Sequence, residues 1–361
     1  MKKLTAIALS LLLCMGLFTA CKTDEPSNSG LSGNREDIPQ MDYNYLTGMP
    51  FKDGQDKNTR PIAVMINNVR VALPQYGLES ADIIYEAVTE GGITRLMALY
   101  SYIDDIDRVG PVRSARDQFV EMMLPLNAIY VHIGSSTSAR RMLNFYSYQD
   151  IDGIYLGFIS FEYDSELAKT KSREHCWFTT KDLIKAGIQQ NNIGTKNNFY
   201  PAFDFIEYGK GERVPAGGDA GSITFEYSNY ADVAFNYDEN TGKYLKSAFG
   251  VPHTDAATGN TLSFDNVFII VADVGIQEEN GILPDFDLSA GTGYYFYKGK
   301  YERITWTKGS PENPLLIYGK DGEILKVNPG KSYVGLLDRA QLDTLVISRR
   351  TQEPVSAERV Q

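Results

Sequence analysis

Short apolar runs and helical periodicity alternate along the first half of the chain. Three runs predict buried strands, at residues 62–66, 83–89 and 93–100. Gly91-Gly92 separates the second run from the third and predicts a hairpin with a two-residue turn. Residues 136–145 have the spacing of an amphipathic helix. Because a hairpin occurs here together with strand–helix alternation, the pattern predicts a layered mixed α/β domain.

The pattern changes after residues 209–221 (GKGERVPAGGDAG), which contain five glycines and one proline. Beyond this segment come short β-like runs separated by turns, and helical periodicity is almost absent. We therefore predict an α+β chain, with a mixed α/β N-terminal domain and a smaller β-rich C-terminal domain. The predicted boundaries are 45–208 for the first domain, 209–221 for a Gly-rich linker and 222–350 for the second domain.

The first 20 residues have the pattern of an export signal. Lys2 and Lys3 precede an apolar stretch from Ala6 to Phe18, which is too short to span a bilayer as a helix. Cys21 follows directly, so residues 17–21 (LFTAC) resemble a bacterial lipobox, with Cys21 as the lipidated residue. The alternative is a secreted product cut after residue 20. Residues 21–44 are mostly polar and predict a flexible tether between the anchor and the folded part.

Composition narrows the class of protein. The 361 residues are 43% hydrophobic and 22% charged, which are proportions typical of a folded soluble protein and exclude a mostly disordered chain. The formal net charge of −11 has the wrong sign for binding a phosphate backbone by bulk electrostatics. We therefore expect no nucleic-acid partner, and a membrane contact made through the lipid anchor rather than a basic patch.

The segment 110–116 (GPVRSAR) is the strongest candidate for a binding site. Ser114 and Asp117 have the spacing of a capping box, which predicts a helix start with free backbone N–H groups. Arg113 and Arg116 add two planar, permanently charged groups that suit a carboxylate or phosphate. The alternative is that both arginines form structural ion pairs with acids nearby.

A second candidate is the segment 134–138 (GSSTS), in which four hydroxyl-bearing residues follow a predicted strand and enter a helix. Ser135 and Ser136 are the residues that we expect to contact an anion, and ordinary N-capping is the alternative. The segment lacks the Gly-Lys-Ser/Thr ending of a phosphate-binding loop, so nucleotide binding is not predicted. If both helix starts lie at one end of the sheet, they share a pocket.

The predicted hairpin carries three further pocket candidates, Glu86, Glu90 and Arg95. A two-residue turn places Val88 opposite Arg95, which brings all three charged residues to one partly buried face. Two carboxylates suit a glycosidase, but an arginine between them keeps both ionised and removes the general acid. Buried charges of this kind have to be paired or used in chemistry.

The chain has three histidines, of which His132 and His175 are the remaining pocket candidates. The spacing of His132, His175 and His253 matches no zinc-ligand pattern, so we predict hydrogen-bonded histidines, no metal and no cofactor. Cys176 adjoins His175, but neighbouring residues of a strand point to opposite faces. We therefore predict a buried cysteine rather than a nucleophile with its base.

Several longer motifs resemble those of the YerB family of bacterial lipoproteins. They are RPIAVMINN (60–68), ADIIYEAVTEGGITR (81–95), GPVRSAR (110–116), VHIGSS (131–136) and PHTDAATG (252–259). The resemblance covers roughly residues 45–345. It implies a lipid-modified cysteine, an N-terminal mixed α/β part and a smaller C-terminal part. It implies no particular activity, because the family has no settled biochemical function.

These observations predict a lipid-anchored extracytoplasmic protein of the bacterial envelope. We expect it to bind an anionic cell-wall ligand or an envelope protein and to perform no chemistry itself, because no catalytic motif is found. Two alternatives stay open. One is a hydrolase or transferase that acts on the cell wall, and the other is a scaffold that recruits another envelope protein through the β-rich half.

Overall fold

A computed structural model describes residues 42–196, 200–277 and 281–349. The predicted signal peptide, Cys21 and the tether as far as Met41 lie outside the described residues. Asn44 stands at the end of the predicted tether and is buried. Its side-chain oxygen accepts hydrogen bonds from the Leu46 amide and the Ser101 hydroxyl, each at 2.9 Å. The folded part therefore includes residues just before position 45.

The described residues form nineteen strands and four α-helices. The strands are β1 (Ile62–Asn68), β2 (Ile83–Val88), β3 (Thr94–Tyr100), β4 (Ile129–His132), β5 (Asp150–Asp152), β6 (Glu162–Tyr163), β7 (Trp177–Phe178), β8 (Gly218–Asp219), β9 (Ser222–Ser228), β10 (Ala231–Asp238), β11 (Lys243–Ala248), β12 (Val251–Pro252), β13 (Ser263–Phe264), β14 (Asn266–Ile276), β15 (Pro284–Tyr297), β16 (Lys300–Thr307), β17 (Leu316–Tyr318), β18 (Ser332–Asp338) and β19 (Val346–Ser348). The helices are α1 (Asp117–Met123), α2 (Thr137–Phe145), α3 (Gly153–Leu156) and α4 (Lys181–Gln190). The fold class is as predicted, with helices in the first half and a β-rich second half.

One large sheet contains eleven strands drawn from both halves of the chain. Its order is β17-β16-β15-β14-β18-β2-β3-β1-β4-β5, and β8 pairs with β16. The halves meet where β18 runs parallel to β2 and β14 runs parallel to β18. The division at 209–221 remains a sequence prediction. The structure adds that strands from both sides of that segment share hydrogen bonds.

The large sheet is buried on both faces. Met65 and Met97 point to the face that packs on α1 and α2, together with Phe119 and Leu143 of those helices. The opposite face packs on α4 and on a second sheet of six strands, in the order β12-β11-β10-β9-β19 with β13 beside β11. The molecule is therefore layered, and the continuous apolar runs of the sequence are strands covered on both sides.

The hairpin register differs from the prediction by one residue. The turn is a 3-10 segment, Glu90–Gly92, in which Gly91 (φ 67°) and Gly92 (φ 77°) both occupy the left-handed region. Val88 therefore pairs with Thr94, and Ala87 pairs with Arg95. Because side chains alternate along a strand, this shift sends Glu86 and Arg95 to opposite faces of the sheet. The prediction that Glu86, Glu90 and Arg95 share one face is wrong.

Of the two helix starts predicted from capping residues, that of α1 is wrong and that of α2 is correct. Helix α1 begins at Asp117 after Arg116, and the structure records no side-chain cap there, so Ser114 does not form the predicted capping box. Helix α2 begins as predicted, because Ser136 Oγ accepts a hydrogen bond from the Ala139 amide at 3.1 Å. None of the described helices is both long enough and apolar enough to cross a membrane.

Candidate ligand-binding site

The two segments predicted to bind an anion lie side by side. The Ile133 amide donates to the Arg113 carbonyl at 3.1 Å, and the Ala115 amide donates to the Gly134 carbonyl at 2.9 Å. The Ser136 amide then donates to the Ala115 carbonyl at 3.1 Å. The chain leaving β4 and the chain entering α1 are therefore held together beside the start of α2.

A cleft of about 640 Å³ opens next to this junction. We call it the α2 cleft. Its lining comprises Gly134, Ser135, Ser136, Thr137, Arg140, Arg141 and Asn144 on the α2 side, and Asp152, Ile154 and Tyr155 on the α3 side. Ser135 and Ser136 therefore line the cleft, and their contact with an anion stays a prediction. Arg113, Ser114 and Arg116 are not among its lining residues.

Arg116 is held by an ion pair. Its Nε and Nη2 atoms contact the two carboxylate oxygens of Glu90 at 2.9 and 2.6 Å, and Arg95 Nη2 reaches Glu90 Oε1 at 2.5 Å. Burial by itself raises the pKa of Glu90. The hydrogen bond from Arg116 and the positive charges of Arg95 and Arg116 outweigh that effect, so the pKa of Glu90 is lowered overall and the carboxyl stays ionised. For Arg116, the structural ion-pair alternative therefore describes the geometry.

Arg113 differs from Arg116, because within the described residues it has no recorded ion pair or side-chain hydrogen bond. It is half-buried and lies close enough to His175 and Arg95 for its charge to lower the pKa of both. In each case burial is the larger cause of the lowering. The His175 ring is fixed on its other side, since Nδ1 lies 2.7 Å from the Asn67 side-chain nitrogen. Arg113 thus has no recorded acidic partner within the described residues, and it does not line the α2 cleft.

His132 lies behind the cleft in an ion-pair cluster. Its Nδ1 is 2.8 Å from the Gly134 carbonyl, and its Nε2 is 2.8 Å from Asp150 Oδ2. Arg140 joins the cluster, with Nη1 at 2.9 Å from Asp150 and Nη2 at 2.7 Å from Asp152. Burial raises the pKa of Asp150, but the hydrogen bond and charge of His132 together with Arg140 lower it overall.

The same cluster has the spacing of a metal site. Ligand atoms of His132, Asp150 and Asp152 lie within 4.8 Å of one another. Both carboxylates already contact the Arg140 guanidinium, at 2.9 Å for Asp150 and 2.7 Å for Asp152. A cation bound there would have to compete with this positively charged side chain. The contacts in the cluster therefore favour a structural role, in which it positions Gly134 and Arg140 beside the α2 cleft.

Glu86 lies on the opposite face of the sheet, in a closed ring of buried polar groups. Its Oε2 is 3.2 Å from Lys246 Nζ, and Lys246 Nζ is 3.1 Å from His253 Nδ1. His253 Nε2 contacts Gln75 Oε1 at 2.8 Å, and Gln75 Nε2 donates to Asn68 Oδ1 at 3.0 Å. Asn68 Nδ2 closes the ring by donating to Glu86 Oε1 at 2.9 Å.

The two charged members of the ring, Glu86 and Lys246, neutralise each other, and hydrogen bonds complete their contacts. Tyr333 OH donates to Glu86 Oε2 at 2.8 Å, and Thr94 Oγ1 donates to Oε1 at 2.8 Å. Burial, followed by the charge of Lys246, lowers the pKa of His253 well below its usual range, so its ring is neutral. Nδ1 then accepts from Lys246 and Nε2 donates to Gln75. Glu86 is thereby engaged in structure, away from the α2 cleft.

Comparison with known proteins places the chain in a family. Residues 46–194 match the N-terminal domain of the family described as protein of unknown function (DUF3048), and residues 222–334 match its C-terminal domain. "Putative lipoprotein YerB" of Bacillus subtilis (strain 168) is 32% identical over 311 residues, covering 84% of this chain and 88% of that protein. The chain belongs to the YerB family. The crystal structure of YerB protein from Bacillus subtilis is similar at 30% identity with a TM-score of 0.72, covering 84% of this chain and 98% of that one.

Membership of the YerB family confirms the resemblance carried by the sequence motifs. It also gives the chain a relative that is named a lipoprotein, which agrees with the expected envelope location. The family description assigns no activity. A ligand therefore has to be inferred from the geometry of the site.

Sequence reasoning missed several residues of the site and of the buried ring. Arg140 and Tyr155 line the α2 cleft, but one lies mid-helix and the other lies on a four-residue helix, where no motif marks them. Lys246 was detectable, because the alternation along β11 places it on the same inward face as Tyr244 and Ala248. A lysine at an inward position of a strand indicates a buried acid opposite.

Proposed function

We propose that this chain is a lipid-anchored protein of the bacterial envelope that binds an anionic ligand in the α2 cleft. One observation carries the proposal. The nine-residue helix α2 begins at an open cleft whose lining includes the hydroxyl-bearing residues Ser135, Ser136 and Thr137 and the arginines Arg140 and Arg141. The sequence motif around Cys21 and the lipoprotein name of the relative support the anchor.

The helix start has free donors for an anion. The first N–H groups of an α-helix have no partner within the helix. The Ser136 hydroxyl takes the Ala139 amide, and the described residues provide no recorded acceptor for the Thr137 and Ser138 amides. These two N–H groups, together with the partial positive charge of the helix end, suit a carboxylate or phosphate oxygen.

The side chains around the helix start favour the same chemistry. Ser135 and Thr137 add hydroxyl donors, and Thr137 is exposed at the mouth of the cleft. Arg140 lies one turn along the same wall, and its position is fixed by Asp150 and Asp152. An anionic cell-wall fragment is the ligand class that matches both the site and the expected location.

The test is binding of anionic wall fragments to the chain from residue 21 with Cys21→Ser. Inorganic phosphate, muropeptides and phosphate-containing wall-polymer fragments are compared by thermal shift and calorimetric titration. Thr137→Asp places a carboxylate at the first position of α2, where it stabilises the helix but repels an anion. We expect at least a tenfold loss of affinity with an unchanged or higher melting temperature.

The matched control is Asn240→Asp, which adds the same charge on an exposed turn of the second sheet. It should leave the affinity unchanged. Equal binding by the parent chain and Thr137→Asp would exclude the α2 cleft as the site. Absence of binding by every fragment, combined with one dominant protein crosslinked in membranes, would favour the scaffold alternative.

One alternative was a cell-wall enzyme of the glycosidase type. The sequence argument for it required Glu86 and Glu90 to share one face of the hairpin, and they do not. Glu86 and Glu90 belong to separate clusters on either side of the sheet, and each carboxylate contacts a positively charged side chain. A glycosidase requires two carboxyl groups on either side of one scissile bond, one of them protonated. We therefore advance ligand binding alone.

A further inference from the structure

A short turn next to the α2 cleft exposes four large apolar side chains. It comprises α3 and the 3-10 segment Gly157–Ile159, and we call residues 153–159 the apolar turn. Ile154 is 67% exposed, Tyr155 77%, Phe158 73% and Ile159 44%. Single exposed apolar residues are common on protein surfaces, but four within six residues form a patch of the kind that marks an interaction surface.

The fold holds this turn in position. The Asp152 side chain accepts a hydrogen bond from the Ile154 amide at 2.9 Å, and Leu156 is buried beneath the turn. Gly153 is packed against Ile133 and Phe161, so a side chain there would collide with both. Gly157 ends α3 with a φ of 47°, in the region that favours glycine, and the exposed Phe158 follows it directly. The exposed side chains are therefore presented by an ordered scaffold.

Aromatic rings and arginines border the apolar turn on two sides. The Phe158 ring lies 5.4 Å from that of Trp177, and the Arg173 guanidinium lies 6.0 Å from the Trp177 ring. On the other side the Arg140 guanidinium lies 6.0 Å from the Tyr155 ring. Aromatic residues with an apolar body and a polar edge favour the bilayer interface, and arginines favour anionic headgroups.

We infer that the apolar turn docks on the surface of an anionic phospholipid bilayer. Phe158 and Ile159 enter the boundary between headgroups and acyl chains, while Arg173 faces lipid phosphates. Local charge complementarity favours this occupant, because Arg173 borders the patch and its guanidinium has no recorded ion pair within the described residues. Residues 21–41 precede the described part and are predicted from the sequence to form a tether; an unstructured segment of that length spans about 25 Å on average, which permits contact with the membrane.

The apolar turn shares Ile154 and Tyr155 with the α2 cleft, so the test substitutes Phe158 and Ile159, which do not line that cleft. The chain from residue 21 with Cys21→Ser, which has no lipid anchor, is floated with vesicles of phosphatidylglycerol and phosphatidylethanolamine, or of phosphatidylcholine alone. We expect at least tenfold stronger binding to the anionic vesicles. The double variant Phe158→Ser with Ile159→Ser should lose at least tenfold of that binding.

The matched control is Tyr230→Ser with Val346→Ser, which removes one exposed aromatic and one exposed aliphatic side chain elsewhere. It should bind like the parent chain. Tryptophan fluorescence supplies a second readout. The chain has two tryptophans, and because Trp306 is buried, quenching by lipid reports on Trp177 beside the apolar turn. Brominated lipids should quench Trp177 in the parent and control proteins, and this quenching should be lost in the Phe158 and Ile159 double variant.

Three outcomes would overturn the inference. The parent protein could fail to bind either kind of vesicle, or the double variant could bind as tightly as the parent. The third is a photocrosslinker at position 158 that captures one dominant protein in cells while purified vesicles remain unbound. That result would assign the apolar turn to a protein partner.

Discussion

Glu86 and Lys246 illustrate what burial requires of a charged residue. Both are almost completely inaccessible to solvent, and each is far from bulk water on the face shared by the two sheets. The ring that contains them supplies hydrogen bonds to both carboxylate oxygens and to the ammonium group. Because an unpaired buried charge is strongly destabilising, the members of this ring act as a unit and substitutions within it should not be additive.

Removal of the lysine alone should therefore be costly. Lys246→Met leaves the Glu86 carboxylate buried without its positive partner, and we expect unfolding free energy to fall by about 3–5 kcal/mol. Adding Glu86→Gln removes the uncompensated charge and should recover more than half of that loss. Urea unfolding of both single variants and the double variant measures this coupling. Additive losses in the double variant would mean that the two groups do not interact.

His253 makes the same ring sensitive to pH. Its folded pKa lies well below that of the unfolded chain, because burial and Lys246 both oppose a second proton. Below about pH 6.5 the unfolded chain therefore binds a proton that the folded chain does not, and stability falls as the pH falls. This group contributes a slope of about 1.4 kcal/mol per pH unit once the pH is well below the unfolded pKa.

His253→Gln tests that slope with little change in hydrogen bonding. The glutamine oxygen can accept from Lys246 and its nitrogen can donate to Gln75. Unfolding free energies measured between pH 6.5 and 5 should show a slope reduced by about one proton in the variant. His175→Gln is the comparison variant and should reduce the slope by less. Burial also lowers the pKa of His175, but that residue is less buried and its pKa is lowered less than that of His253. An unchanged slope in His253→Gln would show that His253 takes up a proton in the folded state.

At the scale of elements, strand positions were predictable and register was not. The strands at 62–66, 83–89 and 93–100 lie where the apolar runs place them. The turn between β2 and β3 depends on one residue, because Gly91-Gly92 suits both a two-residue and a three-residue turn. The longer turn prevails here, with the Thr89 amide donating to the Ile93 carbonyl at 2.7 Å. That difference alone moves Glu86 from the Arg95 face to the Lys246 face.

Ser114 and Ser136 both lie at helix starts predicted from the sequence, but only Ser136 caps a helix in the structure. Ser136→Ala removes the hydrogen bond to the Ala139 amide and should cost about 1 kcal/mol of stability. Ser114→Ala should change stability by less than about 0.5 kcal/mol, because Ser114 caps no helix. Chemical denaturation of both variants measures the difference. A larger loss for Ser114 than for Ser136 would show that Ser136 is not the residue that caps α2.

The candidate site was predictable only where local sequence determines it. The segments 113–116 and 134–136 were identified because each combines polar groups with a predicted helix start, and the structure places them side by side. The ion pair between Arg116 and Glu90 joins residues 26 positions apart, and the opposite wall of the α2 cleft comes from α3. Such contacts depend on the packing of distant elements, which neither periodicity nor capping patterns encode.

At the scale of the whole molecule, the two halves depend on one another for their hydrogen bonds and their core. Strand β2 is buried, and it pairs with β18 from Ile83↔Ser332 to Ala87↔Leu336. The face of β2 that carries Ile84 packs against Phe225 and Phe235 of the second sheet. A chain cut near residue 208 would therefore expose an apolar strand edge and half of a core.

The piece spanning residues 21–208 should consequently fail to fold alone. We expect it to be insoluble or to lack near-ultraviolet circular dichroism and a cooperative melting transition. Co-expression with the piece spanning residues 209–361 should restore a soluble complex, because β18 then regains its place between β2 and β14. The intact chain is the control, and calorimetry should record one transition for it, since both halves share a sheet. A sharp independent transition in the first piece would show that its strands are stable without β18.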